Sequence, residues 1–518
     1  MPLEFLATAK TITLAHCGPK TLDLIKRYLK VPVANRYHVL QRSKKPGWDG
    51  TVSFLNPRLN SFSRGLWPQV KFAMQENGLK YEFKKITPVL LPQINELDIG
   101  PNLTLRPDQA EALNCWLKRE GFGIICAPPG WGKTELSAGA LATLNGNFEK
   151  ALFIVNGLDL LLQAKERFTA KLTKSVGIIG GNEWNPQRLT VATIQTLYSV
   201  IKDKTHEHHK ELNALLKETD FIIHDECHHS RSKQIRSVLS RANARYCLGL
   251  SARPFHAYNQ DVQRMTAEDA IVLAYLGPVV YHQTASDQIE KGHLAKPYVL
   301  LIPILHPLAD EMKWAEARRQ LFYSKTMLDT MTSLTKAAAE AQQTTLIISG
   351  NSLDFNHRIY EALNEADINA VALSGSIDKD ERQDARRQLN QKGLEAIVAT
   401  TIFDEGVDIP NLRQLILAYG GKSLIKIDQR TGRSLRKKQE GKNVAVIVDF
   451  LAYGNKHLEK HSRIRLKRYL EEESYELQLV FPDKHSKYIR RILKDKATEL
   501  DQLPDVEYYR RLANPDSA

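Results

Sequence analysis

A glycine-rich segment, Ala127–Thr134, carries residue types that bind nucleotide phosphates. An apolar run at 121–126 precedes it and predicts a buried strand, and a helical pattern follows at 135–142. Backbone N–H groups of such a turn, at a helix N-terminus, can surround a phosphate. A strand–turn–helix context makes a chance Gly-Lys-Thr in a loop the weaker alternative. We therefore predict a nucleotide-binding loop made of Pro129, Gly130, Trp131, Gly132, Lys133 and Thr134.

Within this loop, two side chains have distinct predicted tasks. Lys133 is placed to reach the β- and γ-phosphates of a bound nucleotide. The Thr134 hydroxyl is placed to bind Mg²⁺. Both residues stand at the predicted start of the helix, where the helix dipole also favours an anion.

Two adjacent carboxylates, Asp225 and Glu226, end a second apolar run at 221–224. At the C-terminal edge of a parallel sheet, Asp225 would hold the Mg²⁺ shell and Glu226 would polarise an attacking water. An acidic pair at a strand end is common in itself. It becomes informative here because a phosphate loop lies upstream on another predicted strand. Together the two sites predict hydrolysis of a nucleoside triphosphate.

A third cluster, at 426–436, lies in what the pattern predicts to be a separate α/β domain. An arginine supplied from a second domain can neutralise charge on the transferring phosphoryl group, so that hydrolysis depends on domain closure. The alternative for Arg433 and Arg436 is a solvated basic helix face, which the neighbouring lysines would extend. From these residues alone both interpretations stay open.

Residues 101–450 resemble the superfamily 2 helicases and translocases through motifs that occur in the family's order. The sequence Asp-Glu-Cys-His at 225–228 fits the DExH branch. The other matching segments are Leu105–Gln109 before the phosphate loop, Val191–Leu197 as motif Ib, Ala399–Pro410 as motif V and Gln429–Arg436 as motif VI. Because five ordered matches are far more specific than one, the chain is identified as a member of this superfamily.

This resemblance implies two tandem RecA-like motor domains, ATP and Mg²⁺ as cofactors, and a nucleic acid as partner. It implies that Gln109 reads adenine, that Arg433 and Arg436 contact the γ-phosphate with Gln429 near it, and that His228 links the ATP site to the second domain. It further implies nucleotide contacts for Arg106, Gly406 and Asp408, and nucleic-acid contacts for Thr193, Gln195 and Thr401.

Three departures from the family pattern bear on the activity. The first glycine of the phosphate loop is replaced by Ala127, which the superfamily often permits. Motif III reads Ser251-Ala252-Arg253 instead of Ser-Ala-Thr, so the hydroxyl that is thought to couple hydrolysis to strand separation is missing. Motif Ia, at 155–158, lacks its usual Pro-Thr. ATP hydrolysis is expected, whereas Arg253 makes the coupling to unwinding less certain.

Composition limits the class of partner. The 518 residues carry a net charge of +13, and residues 1–100 hold 15 Lys and Arg against 7 Asp and Glu. This basic excess implies a polyanionic partner, with nucleic acid the leading candidate and charge for solubility the alternative. The five cysteines show no paired spacing, and no stretch approaches the ~20 apolar residues of a membrane span. We therefore expect a cytoplasmic protein, of a bacterium or a phage-infected host, with no membrane partner.

The first hundred residues predict a small α/β module that contains a strand at 36–40. A turn at 42–50 combines cations with Trp48, which could stack on a base or pack into the core of the module. The Trp-Asp-Gly turn, with the strand and helix that follow, resembles the N-terminal domain of phage UvsW-type branch-migrating DNA helicases. That family remodels forks and Holliday junctions in recombination-dependent replication.

The predicted fold is α/β and has four parts. These are an N-terminal basic α/β DNA-binding domain at 1–100, RecA-like motor domains at 101–290 and 291–450, and a basic helical C-terminal extension at 451–518. A basic run at 456–468 is typical of a solvated helix face, yet it could also follow a DNA duplex.

We expect an ATP-dependent DNA helicase that unwinds or branch-migrates forked and junction DNA in recombination, repair or replication restart. The alternatives are a double-strand DNA translocase without unwinding, an RNA-stimulated helicase or ATPase, and a recognition module that uses ATP only as a binding switch.

Overall fold

The structure is a computed structural model, and it describes part of the chain. The described residues are 3–43, 47–85, 91, 94, 98–100, 102–172, 175–255, 265–305, 312–400, 409, 411–418, 421, 423–438, 440–481 and 487–513. Three predicted site residues, Thr401, Gly406 and Asp408, lie outside them. Two compact units form, one from residues 1–127 with 132–282 and the other from residues 283–518 with 128–131. Among the described residues, no helix is both long and apolar enough to cross a bilayer.

The first unit contains sixteen of the strands. They are β1 (Leu3–Ala7), β2 (Thr11–His16), β3 (Lys30–Pro32), β4 (Thr51–Ser53), β5 (Ser61–Ser63), β6 (Tyr81–Lys85), β7 (Asp98–Gly100), β8 (Leu103–Thr104), β9 (Phe122–Cys126), β10 (Lys150–Val155), β11 (Gly177–Gly180), β12 (Glu183–Asn185), β13 (Leu189–Thr193), β14 (Thr219–Asp225), β15 (Tyr246–Ser251) and β16 (Val279–His282).

Within its described residues, the first unit also contains ten α-helices and two 3₁₀ turns, and an eleventh helix, α11, follows it in the chain. They are α1 (Pro19–Tyr28), α2 (Arg36–Arg42), α3 (Trp67–Glu76), α4 (Pro107–Lys118), α5 (Lys133–Thr143), α6 (Leu158–Leu172), α7 (Ile194–Lys202), α8 (His209–Glu218), α9 (Lys233–Leu239), α10 (Ala267–Leu276) and α11 (Ala285–Glu290), with 3₁₀ turns at Arg64–Leu66 and Cys227–Arg231. The last of these helices, α11, belongs to the second unit.

An eight-stranded sheet forms the centre of the first unit, in the order β12-β11-β13-β10-β14-β15-β9-β16. All its neighbours pair in parallel except β11 and β12, which pair antiparallel. The central strands are buried on both faces, as the apolar runs predict. Because these strands are parallel, the loops after β9, β10, β13, β14 and β15 emerge at one edge, where such sheets bind ligands.

The N-terminal module has its own four-stranded sheet, in the order β5-β2-β1-β6. The module and the motor sheet share one hydrophobic core, which joins residues such as Phe5 and Val70 to Leu273. Gly65 lies so close to α10 that a Cβ there would stand 1.6 Å from the Leu273 carbonyl oxygen. Arg64 also pairs with Glu120 at 2.6 Å. The module and the first motor domain are therefore one folded unit.

The strand predicted at 36–40 is wrong, because this segment forms the helix α2. The strand was assigned from the segment's residue types, which include Tyr37 and Val39. Both side chains are exposed in the structure, by 69% and 37%, and α2 buries none of its residues. Because this segment packs no face against a core, nothing here stabilises a strand, and the segment forms a helix instead.

The second unit has a second parallel sheet, in the order β19-β20-β18-β21-β22-β17-β23-β24. Its strands are β17 (Lys296–Leu305), β18 (Thr345–Gly350), β19 (Ala370–Leu373), β20 (Ala396–Thr400), β21 (Gln414–Leu417), β22 (Val444–Tyr453), β23 (Glu476–Val480) and β24 (Ala497–Leu500). Its remaining helices are α12 (Trp314–Leu321), α13 (Lys325–Glu340), α14 (Leu353–Glu365), α15 (Lys379–Asn390), α16 (Leu424–Ser434), α17 (Lys456–Leu470), α18 (Lys487–Leu493) and α19 (Val506–Ala513). The predicted α/β class with two RecA-like parallel-sheet domains is confirmed.

The C-terminal segment differs in one respect from the helical extension that its sequence predicts. It contains the expected helices, yet β23 pairs in parallel with β17 and β24 with β23. Leu477, Leu479 and Val480 are buried in the cores of the second unit. A five-residue strand carries too weak a periodic signal to be separated from helix when its pairing partner is far away in the chain.

Candidate active site

The predicted phosphate loop lies between β9 and α5, as its flanking patterns indicate. Gly130 and Gly132 have positive φ angles of 81° and 93°, a region that glycine enters without steric cost. Gly132 is the residue immediately before α5, so the first N–H groups of the helix follow the loop. Lys133 Nζ donates to the Ala127 carbonyl oxygen at 3.2 Å. These features are typical of a phosphate site at a helix N-terminus.

Gln109 contacts this loop from the start of α4. Its Oε1 accepts a hydrogen bond from the Arg106 backbone N–H at 3.0 Å, and its Nε2 donates to the Gly132 carbonyl oxygen at 3.3 Å. A Cβ on residue 132 would lie 2.4 Å from Nε2, so only glycine permits this approach. The Arg106 guanidinium is held by Asp108, with Nε 3.1 Å from Oδ1. Gln109 and Arg106 therefore lie beside the phosphate loop.

Asp225 and Glu226 lie at the carboxyl end of β14, on the sheet edge that also carries the phosphate loop. Asp225 Oδ1 accepts the backbone N–H of Glu226 at 3.0 Å, and Glu226 has a φ of 50°. Burial and the charge of Glu226 raise the pKa of Asp225 above its ordinary value. Burial acts the same way on Glu226, but the Lys133 ammonium and a hydrogen bond with His228 outweigh it, so the pKa of Glu226 is lowered. Glu226 is thus the carboxylate of the pair whose ionised form is favoured by its surroundings.

The residues around Asp225 fit a magnesium ion. A buried carboxylate whose pKa is raised by burial and by a second negative charge is stabilised in its ionised form by a dication. Oxygen donors are the ligands that Mg²⁺ prefers, and the Thr134 hydroxyl on the first turn of α5 supplies another. A bound Mg²⁺ would neutralise charge on the β- and γ-phosphates. Among the described residues, no cluster of three or more His, Cys, Asp and Glu forms a separate metal site.

His228 connects the acidic pair to motif III. Its Nδ1 lies 3.3 Å from Glu226 Oε2 and 3.1 Å from Ser251 Oγ. Burial lowers the pKa of His228 despite the opposing charge of Glu226, so the ring is neutral at neutral pH. Ser251 Oγ also accepts the backbone N–H of Arg253 at 3.2 Å. The three predicted coupling residues are therefore joined in one hydrogen-bonded series that starts at Glu226.

Two predicted nucleic-acid residues lie at the end of β13 and the start of α7, at the same sheet edge. Thr193 is 6% exposed and its hydroxyl contacts Thr196 Oγ1 at 2.9 Å. Gln195 is exposed, and its Nε2 donates to the Asn156 carbonyl oxygen at 2.7 Å. This bond joins motif Ib to the loop that stands in for motif Ia. Gln195 and Asn156 therefore present the polar surface here, whereas Thr193 supports it from within.

In the second unit, α16 carries the predicted motif VI residues. Gln429 is half-buried, Arg433 lies in the last turn, and Arg436 follows the end of the helix. The backbone of Arg436 forms a bridge with Leu294, and Ala295 donates to the Leu435 carbonyl oxygen at 2.6 Å. The position of Arg436 is thus fixed by main-chain pairing with the segment that enters β17.

The N-terminal module holds Trp48 in an intermediate environment. Its ring N–H donates to the Thr51 carbonyl oxygen at 2.8 Å, and the side chain is half-buried. Neighbouring Asp49 pairs with Lys30 at 2.6 Å. The module exposes a different aromatic residue, Tyr37, more fully than Trp48. Tyr37 was not predicted as a candidate stacking residue because it was assigned to a strand. The sequence feature that could have indicated it is an aromatic residue between two cations, Arg36 and Arg42.

Comparisons with protein families identify the class. Residues 102–256 match the family described as "Type III restriction enzyme, res subunit", and residues 327–438 match the "Helicase conserved C-terminal domain". Each match lies within one of the two parallel-sheet domains described above and covers part of its sheet. The chain belongs to the superfamily 2 helicases, and it is an ATP-dependent helicase. The sequence-based identification is confirmed.

Individual relatives agree with this class. The chain is 26% identical over 392 residues to "DNA 3'-5' translocase XPB2" of Sulfurisphaera tokodaii. The aligned region covers 69% of this chain and 83% of the relative. The chain is 27% identical over 397 residues to helicase 22 of Sulfolobus islandicus filamentous virus, covering 72% of this chain and 69% of the relative.

A solved structure shows the same fold. Dbp5 of S. cerevisiae, bound to RNA and ADP BeF3, aligns with a TM-score of 0.52 at 15% identity, over 75% of this chain and 93% of that one. T4 UvsW aligns over 92% of this chain and 99% of its own, at 19% identity and a TM-score of 0.41.

Proposed function

We propose that this helicase acts on DNA and that it unwinds or branch-migrates forked and junction DNA in recombination, repair or replication restart. The observation that supports a motor most directly is the edge of the first sheet, where Lys133 and Thr134 at the start of α5, the acidic pair and the series from Glu226 to Arg253 lie together. The DNA assignment is supported by the basic N-terminal module, which shares a core with that sheet. It is also supported by the relative named as a DNA translocase.

The site residues have the following proposed roles. Lys133 and the N–H groups of the phosphate loop bind the β- and γ-phosphates, and Thr134 and Asp225 hold Mg²⁺. Glu226, the carboxylate whose pKa is lowered, orients and activates the attacking water. Gln109 and Arg106 contact the base of ATP. Gly406 and Asp408 contact the nucleotide as the family resemblance implies.

Arg433 and Arg436 of the second unit would stabilise charge on the γ-phosphate in the transition state, with Gln429 beside them. Such a contribution makes ATP turnover depend on the second motor domain. Within the first unit, the hydrogen bonds of His228, Ser251 and Arg253 would transmit the state of the ATP site to the DNA-binding loops.

DNA contacts are proposed for the loops after β10 and β13 and for the N-terminal module. Gln195 and Asn156 would bind backbone phosphates, with Thr193 beneath them and Thr401 of motif V in the second unit. Tyr37 and Trp48 are the aromatic residues of the module that could stack on unpaired bases near a junction. On this proposal the module at 1–100 recognises the branched substrate, and the domains at 101–290 and 291–450 move along it.

A double-strand translocase that separates no strands is the second candidate. The observation that favours it is Arg253, which stands where the family carries a threonine. Ser251 nevertheless keeps its hydroxyl and bonds both His228 and the Arg253 backbone, so the series is not interrupted. We therefore place unwinding or branch migration first.

The decisive experiment measures ATP turnover and DNA products on a panel of substrates. Single-stranded DNA, blunt duplex, fork, four-way junction and RNA are each added to the full-length chain, with Glu226→Gln as the inactive reference. The proposal predicts the highest turnover on forks and junctions, with conversion of both into separated or migrated products. Displacement of a bound obstacle from duplex without strand separation would favour the translocase. Stimulation by RNA alone would refute the DNA assignment.

A further inference from the structure

The cations of α17 do not share one solvated face. Arg463 is half exposed, with 50% of its side chain accessible, whereas Arg465 and Arg468 are 4% and 13% exposed. Each of the two buried guanidinium groups pairs with a carboxylate of the second unit. These two arginines are therefore not available to a DNA backbone, because they bind Asp449 on β22 and Asp428 on α16.

Arg468 joins α17 to α16 through Asp428. Its Nε lies 2.6 Å from Asp428 Oδ1, and its Nη2 lies 2.5 Å from Glu472 Oε1. Both carboxylates are 10% exposed, so the charges interact largely out of water. Burial lowers the pKa of Arg468, but the charges of Asp428 and Glu472 outweigh it and the pKa is raised. Asp428 immediately precedes Gln429 and lies on the same helix as Arg433.

Arg465, one turn earlier on α17, holds the segment that leads into α16. Its Nε lies 2.9 Å from Asp449 Oδ2, and its Nη1 donates to the Gly421 carbonyl oxygen at 3.1 Å. The Tyr469 hydroxyl donates to the same Asp449 oxygen at 2.8 Å. Gly421 stands just before the start of α16, so this buried pair fixes the path of the chain into the helix.

The end of α16 is held by a buried lysine. Lys438 is 6% exposed, and its Nζ donates to the Ser434 carbonyl oxygen at 2.7 Å and to that of Leu412. Ser434 is the last residue of α16, so this hydrogen bond satisfies a carbonyl group at the end of the helix. The helix is thus held before its start, in its middle and at its end.

We propose that Arg468 is a positioning residue for Arg433, the motif VI arginine on α16, and that α17 serves ATP hydrolysis instead of following DNA. This proposal rests on the proposed role of Arg433 and Arg436 in hydrolysis. A small displacement of a group that must meet charge developing in the transition state lowers the rate strongly. The planar guanidinium of Arg468 spans two carboxylates, a geometry that the single ammonium of lysine cannot reproduce.

The test compares steady-state ATP hydrolysis of full-length Arg468→Lys with that of the unaltered chain at saturating fork DNA. We expect kcat to fall on the order of tenfold to a hundredfold, because Arg433 on α16 is displaced. The KM for ATP should stay close to its original value, since the phosphate loop and Gln109 are untouched. The matched control is Arg463→Lys on the exposed face of α17, which should change kcat by less than about twofold.

Two double variants separate positioning from general structural damage. Charge reversal, with Asp428→Arg and Arg468→Asp in one chain, should recover part of the kcat that each single change removes. Adding Arg468→Lys to Arg433→Ala should lower kcat no further than Arg433→Ala alone, because the positioned group is already gone. Thermal unfolding of each variant shows whether the fold is retained.

Three outcomes would overturn the inference. An unchanged kcat in Arg468→Lys with a raised KM for DNA would assign α17 to DNA binding. Additive losses in the Arg433→Ala background, with no recovery on charge reversal, would make Arg468 a structural residue only. If Arg433→Ala and Arg436→Ala themselves leave kcat unchanged, the proposed function of α16 fails first, and the inference fails with it.

Discussion

The acidic pair of the first unit and the motif VI helix of the second unit are held in position in different ways. Asp225 and Glu226 end a strand that lies between β10 and β15, so the register of the parallel sheet sets their place. The helix α16 depends on Arg465, Arg468 and Lys438, which follow it in the chain. A substitution at the first site therefore removes a chemical group, whereas one around the second displaces a group that is still present.

The largest expected effect removes chemistry at the first site. Glu226→Gln keeps the size of the side chain but removes its negative charge, so the attacking water loses its activating carboxylate. We expect kcat for ATP to fall about a thousandfold, with the affinity for ATP retained. Turnover at saturating fork DNA and titration with a fluorescent ATP analogue measure the two quantities separately.

The control for this variant is Glu207→Gln, whose side chain is 81% exposed in the same unit. It should leave turnover unchanged. Equal turnover of Glu226→Gln and the unaltered chain would contradict the role given to Glu226. The acidic pair would then not be a site where a substitution removes a group needed for hydrolysis.

Much of the first unit could be predicted because its signals are local. The phosphate loop, the strand that ends in Asp225 and the motif Ib strand each place their site residues within a few positions of an apolar run. A parallel sheet then brings those strand ends to one edge without further information. The register of each strand does the rest.

The parts that could not be predicted depend on partners far apart in the chain. Arg465 and Arg468 lie in a run of cations, a pattern that usually indicates a solvated face. Only the fold brings Asp449 and Asp428 against them. The strand predicted at 36–40, which contains Tyr37, was wrong for the opposite reason. Its residue types favour a strand, but the structure has no buried face there to pack one against.

The second prediction breaks the support of α16 at a buried pair. Arg465→Met removes the guanidinium and leaves Asp449, 1% exposed, without its cation. We expect the free energy of unfolding to fall by roughly 3 kcal/mol, since one member of a buried pair remains charged. Denaturant unfolding measures the loss. Arg463→Met on the exposed face should cost less than about 0.5 kcal/mol, and equal losses in the two variants would show that burial does not distinguish these arginines.

The third prediction concerns the pH dependence of the first unit. Burial lowers the pKa of His224 on β14 to about 3, against an ordinary value of 6.5. As pH falls from 6.5 towards 3, the unfolded chain binds a proton that the folded chain refuses, so the free energy of unfolding falls. His224→Asn should reduce this slope by about 1.4 kcal/mol per pH unit.

Chemical unfolding at several pH values in this window measures the slope. The matched control is His38→Asn, an exposed histidine of the N-terminal module, which should leave the slope as it is. An unchanged slope in His224→Asn would mean that His224 takes up a proton while the chain is folded. The strand β14 would then be held less rigidly than the register of the parallel sheet implies.

The smallest expected effect lies where the first site passes its state onwards. Ser251→Ala removes the hydroxyl that contacts His228 at 3.1 Å and accepts the Arg253 N–H at 3.2 Å, and it leaves every group of the ATP site in place. We expect stability to fall by about 1 kcal/mol and ATP turnover to stay near its original value. If the hydrogen-bonded series carries the coupling, the DNA separated or migrated per ATP should fall about fivefold, the equivalent of that energy.

Ser199→Ala, exposed on α7, is the control. An unaltered yield of DNA product per ATP would show that the coupling runs through other residues, and that the first region, like the second, depends on contacts its own strands do not supply.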